Sequence, residues 1–302
     1  MKHLGISGGG TKIAGLFGVA EALILEKKFK PDVISGISAG AILSLPLALG
    51  KLDEVRELVL NFTLDDFFSS SPVKENGGFT GAAIWRVLTG KPYLGKQENL
   101  EKKLRSIVSE AEFLAYQKDN TKAACIVGAV DFITGGRKFF NLKKVSYADF
   151  PKVVNASSSL PIFTKGFQMK VDGEDTYLYD GGVRDHIATA YILEESEYKD
   201  QFDESISIFS RPEDFKVLPN EFNDKNVMAI LSRYIDITNV EVSKNDEFHL
   251  DEVCRVKKIR NVKLYLPRVM KTVYDTDPQR LRQIYQAGLV EGRKYKAEPV
   301  LV

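Results

Sequence analysis

Two short glycine-rich turns constrain this chain more than any other feature of its sequence. Gly8-Gly9-Gly10 interrupts the apolar run Leu4–Ser7, and Gly36-Ile37-Ser38-Ala39-Gly40 follows Val33-Ile34-Ser35. An apolar segment with helical spacing comes after each. Ile13, Leu16, Phe17, Ala20, Leu23 and Ile24 share one face of a helix predicted over 13–27, and Ala41–Leu49 forms a second, closed by Gly50. Strand–helix–strand–helix is the pattern of a parallel sheet covered by helices. Val33–Gly50 carries no charge over 18 residues, the length of a membrane span. Its serines, Pro46 and glycines fit a buried strand, a turn and a buried helix better.

Further helices are predicted over 52–62, 81–89, 98–116 and 228–259. Ala123–Asp131 reads as a third buried strand with Lys138–Asn141 as its hairpin partner, and Tyr177–Tyr179 as another strand. Residues 63–80 mix Phe67, Phe68, serines, Pro72 and Gly77-Gly78. They read either as a surface segment with exposed aromatics, part of a lid, or as a loop pinned by its phenylalanines. Residues 211–226 are polar and punctuated by proline. No repeat or linker divides the chain, so residues 1–302 are expected to form one domain.

Composition narrows the function classes. The 302 residues are 44% apolar and carry 42 basic against 41 acidic side chains, a balance that disfavours a phosphate-neutralising nucleic-acid binder. A chain of this size buries roughly 75% of its unfolded surface and needs no disulfide or metal staple. Cys125 and Cys254 lack metal-ligand spacing and read as reduced core residues. The N-terminus shows no basic segment leading into an apolar run, so neither a signal peptide nor a membrane span is expected and a cytoplasmic location is.

A serine on a tight strand-to-helix turn presents its Oγ above the sheet edge, with helix N–H groups beneath a developing oxyanion. Ser38 is therefore a candidate nucleophile. The loop Gly8-Gly9-Gly10-Thr11-Lys12 can converge backbone N–H groups on an anion, either as an oxyanion hole or as a phosphate cradle. Ile13 stands where the dinucleotide pattern needs glycine, and Gly90–Lys96 continues with Gln97 where a P-loop needs Ser or Thr. Of three histidines, His3 lies at the wrong end of the first strand and His249 in a charged helix, which leaves His186. Asp180-Gly181-Gly182 ends a strand and reads either as a carboxylate beside a tight bend or as a surface turn.

These blocks, in this order and together with Gly18-Val19 and Ala156-Ser157-Ser158-Ser159-Leu160-Pro161-Ile162-Phe163, resemble those of the patatin-like phospholipases, lipid acyl hydrolases with a Ser–Asp dyad. The resemblance covers residues 5 to about 190. It implies a three-layer α/β/α fold around a mainly parallel sheet, with Ser38 as nucleophile and Asp180 as base. The oxyanion hole falls within Gly8, Gly9, Gly10, Thr11 and Lys12. The chain departs from the pattern at Ile13, where glycine is usual, and at His186 and Ala188, where Asn and Pro are common; His186 is left as a possible accessory group. No metal or other cofactor is implied. The substrate would be a phospholipid or other fatty-acyl ester met at a membrane surface, with Phe67 and Phe68 as the expected contact. An acyltransferase or soluble-ester esterase could use the same serine turn, and a non-catalytic lipid or nucleotide binding module could keep the glycine loop. Aspartate is a poor base, its reference pKa lying about 2.6 below that of histidine. A dyad therefore requires a desolvated Asp180 within reach of Ser38.

Overall fold

The computed structural model describes residues 1–74, 78–214, 227–270 and 274–297. In chain order, β1 (Lys2–Ile6) leads into α1 (Ile13–Glu21), which continues as a π turn over Ala22–Glu26, and β2 (Val33–Ile37) runs into α2 (Ala39–Leu49). Then come α3 (Leu52–Leu60), α4 (Leu64–Phe67), α5 (Gly81–Leu88), α6 (Glu98–Ile107) and α7 (Glu110–Lys118), followed by β3 (Ala124–Asp131) and β4 (Arg137–Asn141). The remainder is α8 (Phe150–Ser157), the hairpin β5 (Phe167–Val171) and β6 (Glu174–Asp180), α9 (Thr189–Glu195), β7 (Glu204–Phe209), α10 (Val227–Lys257), β8 (Arg260–Tyr265) and α11 (Pro278–Arg293).

The strands form one eight-stranded sheet in the order β5-β6-β3-β2-β1-β7-β8, with β4 paired to β3 outside that path. Neighbours from β3 through β8 pair parallel, whereas β4, β5 and β6 pair antiparallel. Every residue of β2 and β3 is buried, as a strand covered on both faces requires. Their side chains alternate between two cores. Ile34, Cys125 and Val127 pack with α1, α2, α8 and α11, while Val33, Ile37, Ala124 and Ile126 pack with α9 and α10. The fold is thus the expected three-layer α/β/α sandwich.

One detail of register positions the site. β2 pairs with residues 124–128 of β3 and β4 pairs with 126–130, so these two occupy opposite edges. β6 pairs with 129–131 of β3, overlapping β4, and must share the edge of β2. β2 and β6 therefore meet end to end: Ile37 lies opposite Gly128 and Asp180 opposite Ala129. Ser38 follows Ile37 directly.

Several expected boundaries move. The helix expected over 98–116 is two, because Ser109 caps α7 in a reciprocal box with Glu112, donating to its carboxylate at 2.7 Å. The helix expected over 13–27 breaks into its π turn after Glu21. The segment over 63–80 buries Phe68 and leaves Phe67 half-buried. Phe68 is only 2% exposed, Phe67 stacks edge-on against it at 5.0 Å, and both line the cavity, so the loop is pinned by its phenylalanines and Phe68 offers no surface for the expected contact. The polar stretch 211–226 lies outside the described residues beyond Asp214, as does Gly77. Cys125 and Cys254 are free and buried. Among the described residues no helix is long and apolar enough to cross a membrane, and no cluster of His, Cys, Asp and Glu could hold a metal.

α1 and α11 cross in close contact, tied by the buried Glu21 carboxylate, which accepts the Tyr285 hydroxyl at 2.5 Å and an Arg56 guanidinium N–H. A β-carbon at Gly288 would lie 2.2 Å from the Gly15 carbonyl oxygen. Gly288→Ala should therefore destabilise by about 1–3 kcal/mol through overpacking, against the gain in helix propensity that alanine normally brings. Thermal denaturation would register this as a Tm lowered by several degrees.

Candidate active site

Ser38 caps α2 with φ +52° and ψ −114°, a backbone conformation that costs a non-glycine residue about 1–3 kcal/mol. The flanking glycines make the turn possible. A β-carbon at Gly36 would lie 2.3 Å from the Gly40 carbonyl carbon, and one at Gly40 would lie 2.2 Å from the Ile6 carbonyl oxygen. The turn is thus squeezed between the end of β1 and the start of α2. Its backbone is tied across the sheet by Ser157, the last residue of α8. The Ser38 N–H donates to Ser157 Oγ at 3.0 Å, and that hydroxyl donates to the Gly128 carbonyl at 2.6 Å.

Asp180 enters the same space from the tip of β6. Its N–H donates to the Ser159 carbonyl at 2.9 Å and its Oδ1 accepts the Gly182 N–H at 2.7 Å. The side chain is 4% exposed. Burial pushes its pKa up to about 7, although the Gly182 N–H and the Ser38 hydroxyl, both acting on the carboxylate as donors, pull it down. Burial of the Tyr274 phenol and the nearby Asp180 charge raise the phenol's pKa as well.

The glycine loop faces this pair. The Gly8 N–H is engaged by the His186 carbonyl at 2.9 Å and the Lys12 N–H by the Gly9 carbonyl at 3.1 Å. Of the five loop residues named from the sequence, Gly9, Gly10 and Thr11 therefore have N–H groups that precede the first bond of the turn, and all three line the cavity. Ile13 needs no glycine's freedom: it opens α1 with φ −49°. Lys12 is half-buried; burial lowers its pKa, opposed by the Asp236 carboxylate and reinforced by the Arg268 charge.

His186 lies close by. A β-carbon at Gly8 would sit 3.4 Å from Ser38 Cβ and 3.8 Å from His186 Nε2. Burial, then the charges of Lys12 and Arg211, lower its pKa to about 3, so it is a neutral imidazole. Its carbonyl, not its ring, has a partner in the loop. Ala188 caps α9 in the second core. His3 is a core residue between the hydroxyls of Ser205 and Ser35, at 3.0 and 2.9 Å, and does not line the cavity. His249 pairs with Glu194 at 2.8 Å at the surface.

Above Ser38 and Asp180 opens a cavity of about 320 Å³ with an apolar wall that includes Ile42, Phe62, Phe67, Phe68, Phe163 and Ile235. Ser38, Asp180, His186 and the glycine loop contribute to its polar lining. Three contributions were not read from the sequence. Ser157 was visible only as part of a small-residue block. Ser210 follows β7 and donates to the Gly8 carbonyl at 2.5 Å, fixing the loop from the C-terminal half. Tyr234, Ile235 and Tyr274 bring α10 and the segment before α11 into the wall.

Because Asp180 has a higher pKa folded than unfolded, its ionisation costs stability. The cost is absent below about pH 4, where both states are protonated, and is complete above pH 7. Asp180→Asn should thus raise Tm at pH 8 and leave it nearly unchanged at pH 4, as scanning calorimetry at the two pH values would show.

Three comparisons place this geometry among known proteins. The family model described as patatin-like phospholipase matches residues 4–192. No curated protein matches the chain at a significant level. Among solved structures, VipD from Legionella pneumophila superposes with a TM-score of 0.53 at 13% identity, over 97% of this chain and 66% of its own, a likeness of fold. The type III effector protein ExoU is similar at a TM-score of 0.45 and 14% identity, over 97% of this chain and 52% of its own. The chain thus spans about two thirds and about half the length of these two proteins. With the family match extending over more than half of the sequence, and through every block described above, this chain belongs to the patatin-like phospholipases.

Proposed function

We propose that the chain is a lipid acyl hydrolase that cleaves fatty-acyl esters of phospholipids or related lipids through an acyl-enzyme on Ser38, with Asp180 as general base. The observation that carries this reading is the buried carboxyl, its pKa near 7, next to a strained serine, both lining a largely apolar cavity. A fatty-acyl chain fits the wall, and its ester carbonyl reaches the polar lining.

In the proposed reaction, Asp180 accepts the proton of Ser38 as Oγ forms a bond to the ester carbonyl carbon. The carbonyl π electrons move to oxygen, where the N–H groups of Gly9, Gly10 and Thr11 face the oxyanion; one such donor is typically worth about 3–4 kcal/mol. Collapse breaks the ester C–O bond, and the leaving alcohol takes the proton from Asp180. Water then gives a proton to Asp180 and attacks the acyl-enzyme, and the second collapse returns the proton to Ser38 and releases the fatty acid. His186, neutral across the working range, takes no proton and holds the loop through its carbonyl.

The test is fluorophosphonate labelling beside fatty-acid release from phospholipid vesicles. Wild type should label and hydrolyse. Ser38→Ala should do neither, and Asp180→Asn should lose at least about 10²-fold in labelling rate, the usual contribution of a general base. The labelling rate should rise tenfold per pH unit below 7 and level above it, since only the ionised carboxylate can accept the proton. Full labelling of Asp180→Asn would assign the base elsewhere. Ser157→Ala, which frees the Ser38 N–H, should slow labelling while leaving the pH limb in place.

A further inference from the structure

A surface helix normally turns its apolar stripe inward. α5 is inverted. Ile84, Trp85, Val87 and Leu88 are 52%, 67%, 58% and 75% exposed, and only Ala83 is buried. Polar groups hold the helix to the body instead. Thr80 caps it and donates to the Ser71 carbonyl at 2.8 Å, while Arg86 donates to the Leu94 carbonyl at 2.8 Å and to Ser70 Oγ at 2.9 Å.

The strand-like segment that Arg86 grips leads to the cavity mouth. The Leu94 N–H donates to the Ile162 carbonyl at 2.8 Å, and the Gly95 N–H to that of Phe163, also at 2.8 Å. Ile162 lines the cavity yet is 59% exposed, and it sits at φ +73°, a conformation a β-branched residue rarely takes. Phe132 and Val183, likewise cavity-lining, are 45% and 42% exposed. Exposed apolar side chains thus stand both on α5 and at the cavity lining, linked through residues 94–95. Cations predominate in sequence here: residues 78–97 contain Arg86, Lys91 and Lys96 and no acidic residue, Lys96 pairs with Glu98 at 3.5 Å, and Lys165 is exposed beside Ile162. Exposed Trp and aliphatic side chains, flanked by Tyr93 and lysines, are the residue types that settle at a membrane–water interface.

We propose that α5 and the Ile162 rim form the face by which the protein docks on an anionic lipid surface, setting the cavity mouth against the bilayer. This docking rests on the lipid-hydrolase reading above. Anionic lipid is favoured as occupant because α5 is tied through Leu94 and Gly95 to the cavity-lining Ile162 and Phe163, and because Lys91 and Lys165 are exposed on these segments.

Trp85 is the sole tryptophan of the chain and so reports on the proposed contact directly. The experiment adds vesicles of equal parts phosphatidylcholine and phosphatidylglycerol to the Ser38→Ala protein, which cannot consume them. Trp85 emission should shift to the blue and be quenched when the phosphatidylcholine carries acyl-chain bromine. The double variant Val87→Ser, Leu88→Ser should lower vesicle partitioning by roughly tenfold or more. With Ser38 intact it should hydrolyse a soluble short-chain ester as wild type does, which also shows that it is folded. Flotation with vesicles without a Trp85 shift would overturn the proposal in favour of another face. A shift that grows with protein concentration in the absence of vesicles would overturn it in favour of a second copy of the chain. Absence of both flotation and shift, with soluble-ester hydrolysis intact, would overturn the docking and leave the hydrolase reading standing.

Discussion

The site depends on β2 and β6 sharing one edge of β3. Neither Ser38 nor Asp180 has a fixed position by itself; each is the residue at which a strand runs out. Consecutive residues of β3, Gly128 and Ala129, take their partners from different strands, and that junction brings the two side chains together. The Gly128 carbonyl is freed at the junction and accepts the Ser157 hydroxyl, which in turn accepts the Ser38 N–H. A gap in the ladder thus becomes the bracket that holds the serine turn. Buried polar groups left by such a gap must find partners, and here the partners belong to the site.

This arrangement is expensive. Ser38 is held at positive φ, and Asp180 keeps a carboxyl out of water. The surrounding sandwich is large enough to bear it, because α1, α2, α8 and α11 pack a continuous apolar core directly beneath the same strands. The C-terminal third is part of that support. β7 lies next to β1, Ser210 at its end holds the Gly8 carbonyl, and α10 supplies part of the cavity wall.

The N-terminal architecture was legible because its signals are local. The apolar runs at Leu4 and Val33 and the glycines after them specify strand, turn and helix within a few residues. The site residues stood out by local pattern and took their roles from the resemblance, whereas their juxtaposition, set by the register of β3, is a long-range property that no window of sequence contains. Where the reading fell short, competing local signals were present. Ser109 and Glu112 announce a helix start inside 98–116, and the alternation of Ser205, Ile206, Ser207 and Ile208 marks β7. Phe67 and Phe68 show the opposite difficulty: whether an aromatic in a loop faces water or a cavity depends on what Tyr274, some two hundred residues later, places beside it. β8, at a sheet edge, alternates Val262 and Leu264 with Asn261 and Lys263, a period-2 signal obscured by the long charged helix that precedes it.

The use of an aspartate as base in the proposed reaction would follow from the same burial. In water imidazole is the stronger base by about 2.6 pKa units. Inside this site burial acts on both groups with opposite sign, because it disfavours whichever form is charged. The carboxylic acid becomes harder to ionise and the imidazole harder to protonate. Asp180 rises to about 7 and His186 falls to about 3, so the order of basicity is inverted. A histidine placed where Asp180 stands would be a weak base in such surroundings unless a second carboxylate supported it. In the proposed reaction the dry apolar wall that would accommodate an acyl chain is also what raises the proton affinity of the carboxylate, so binding and basicity would have a common physical origin.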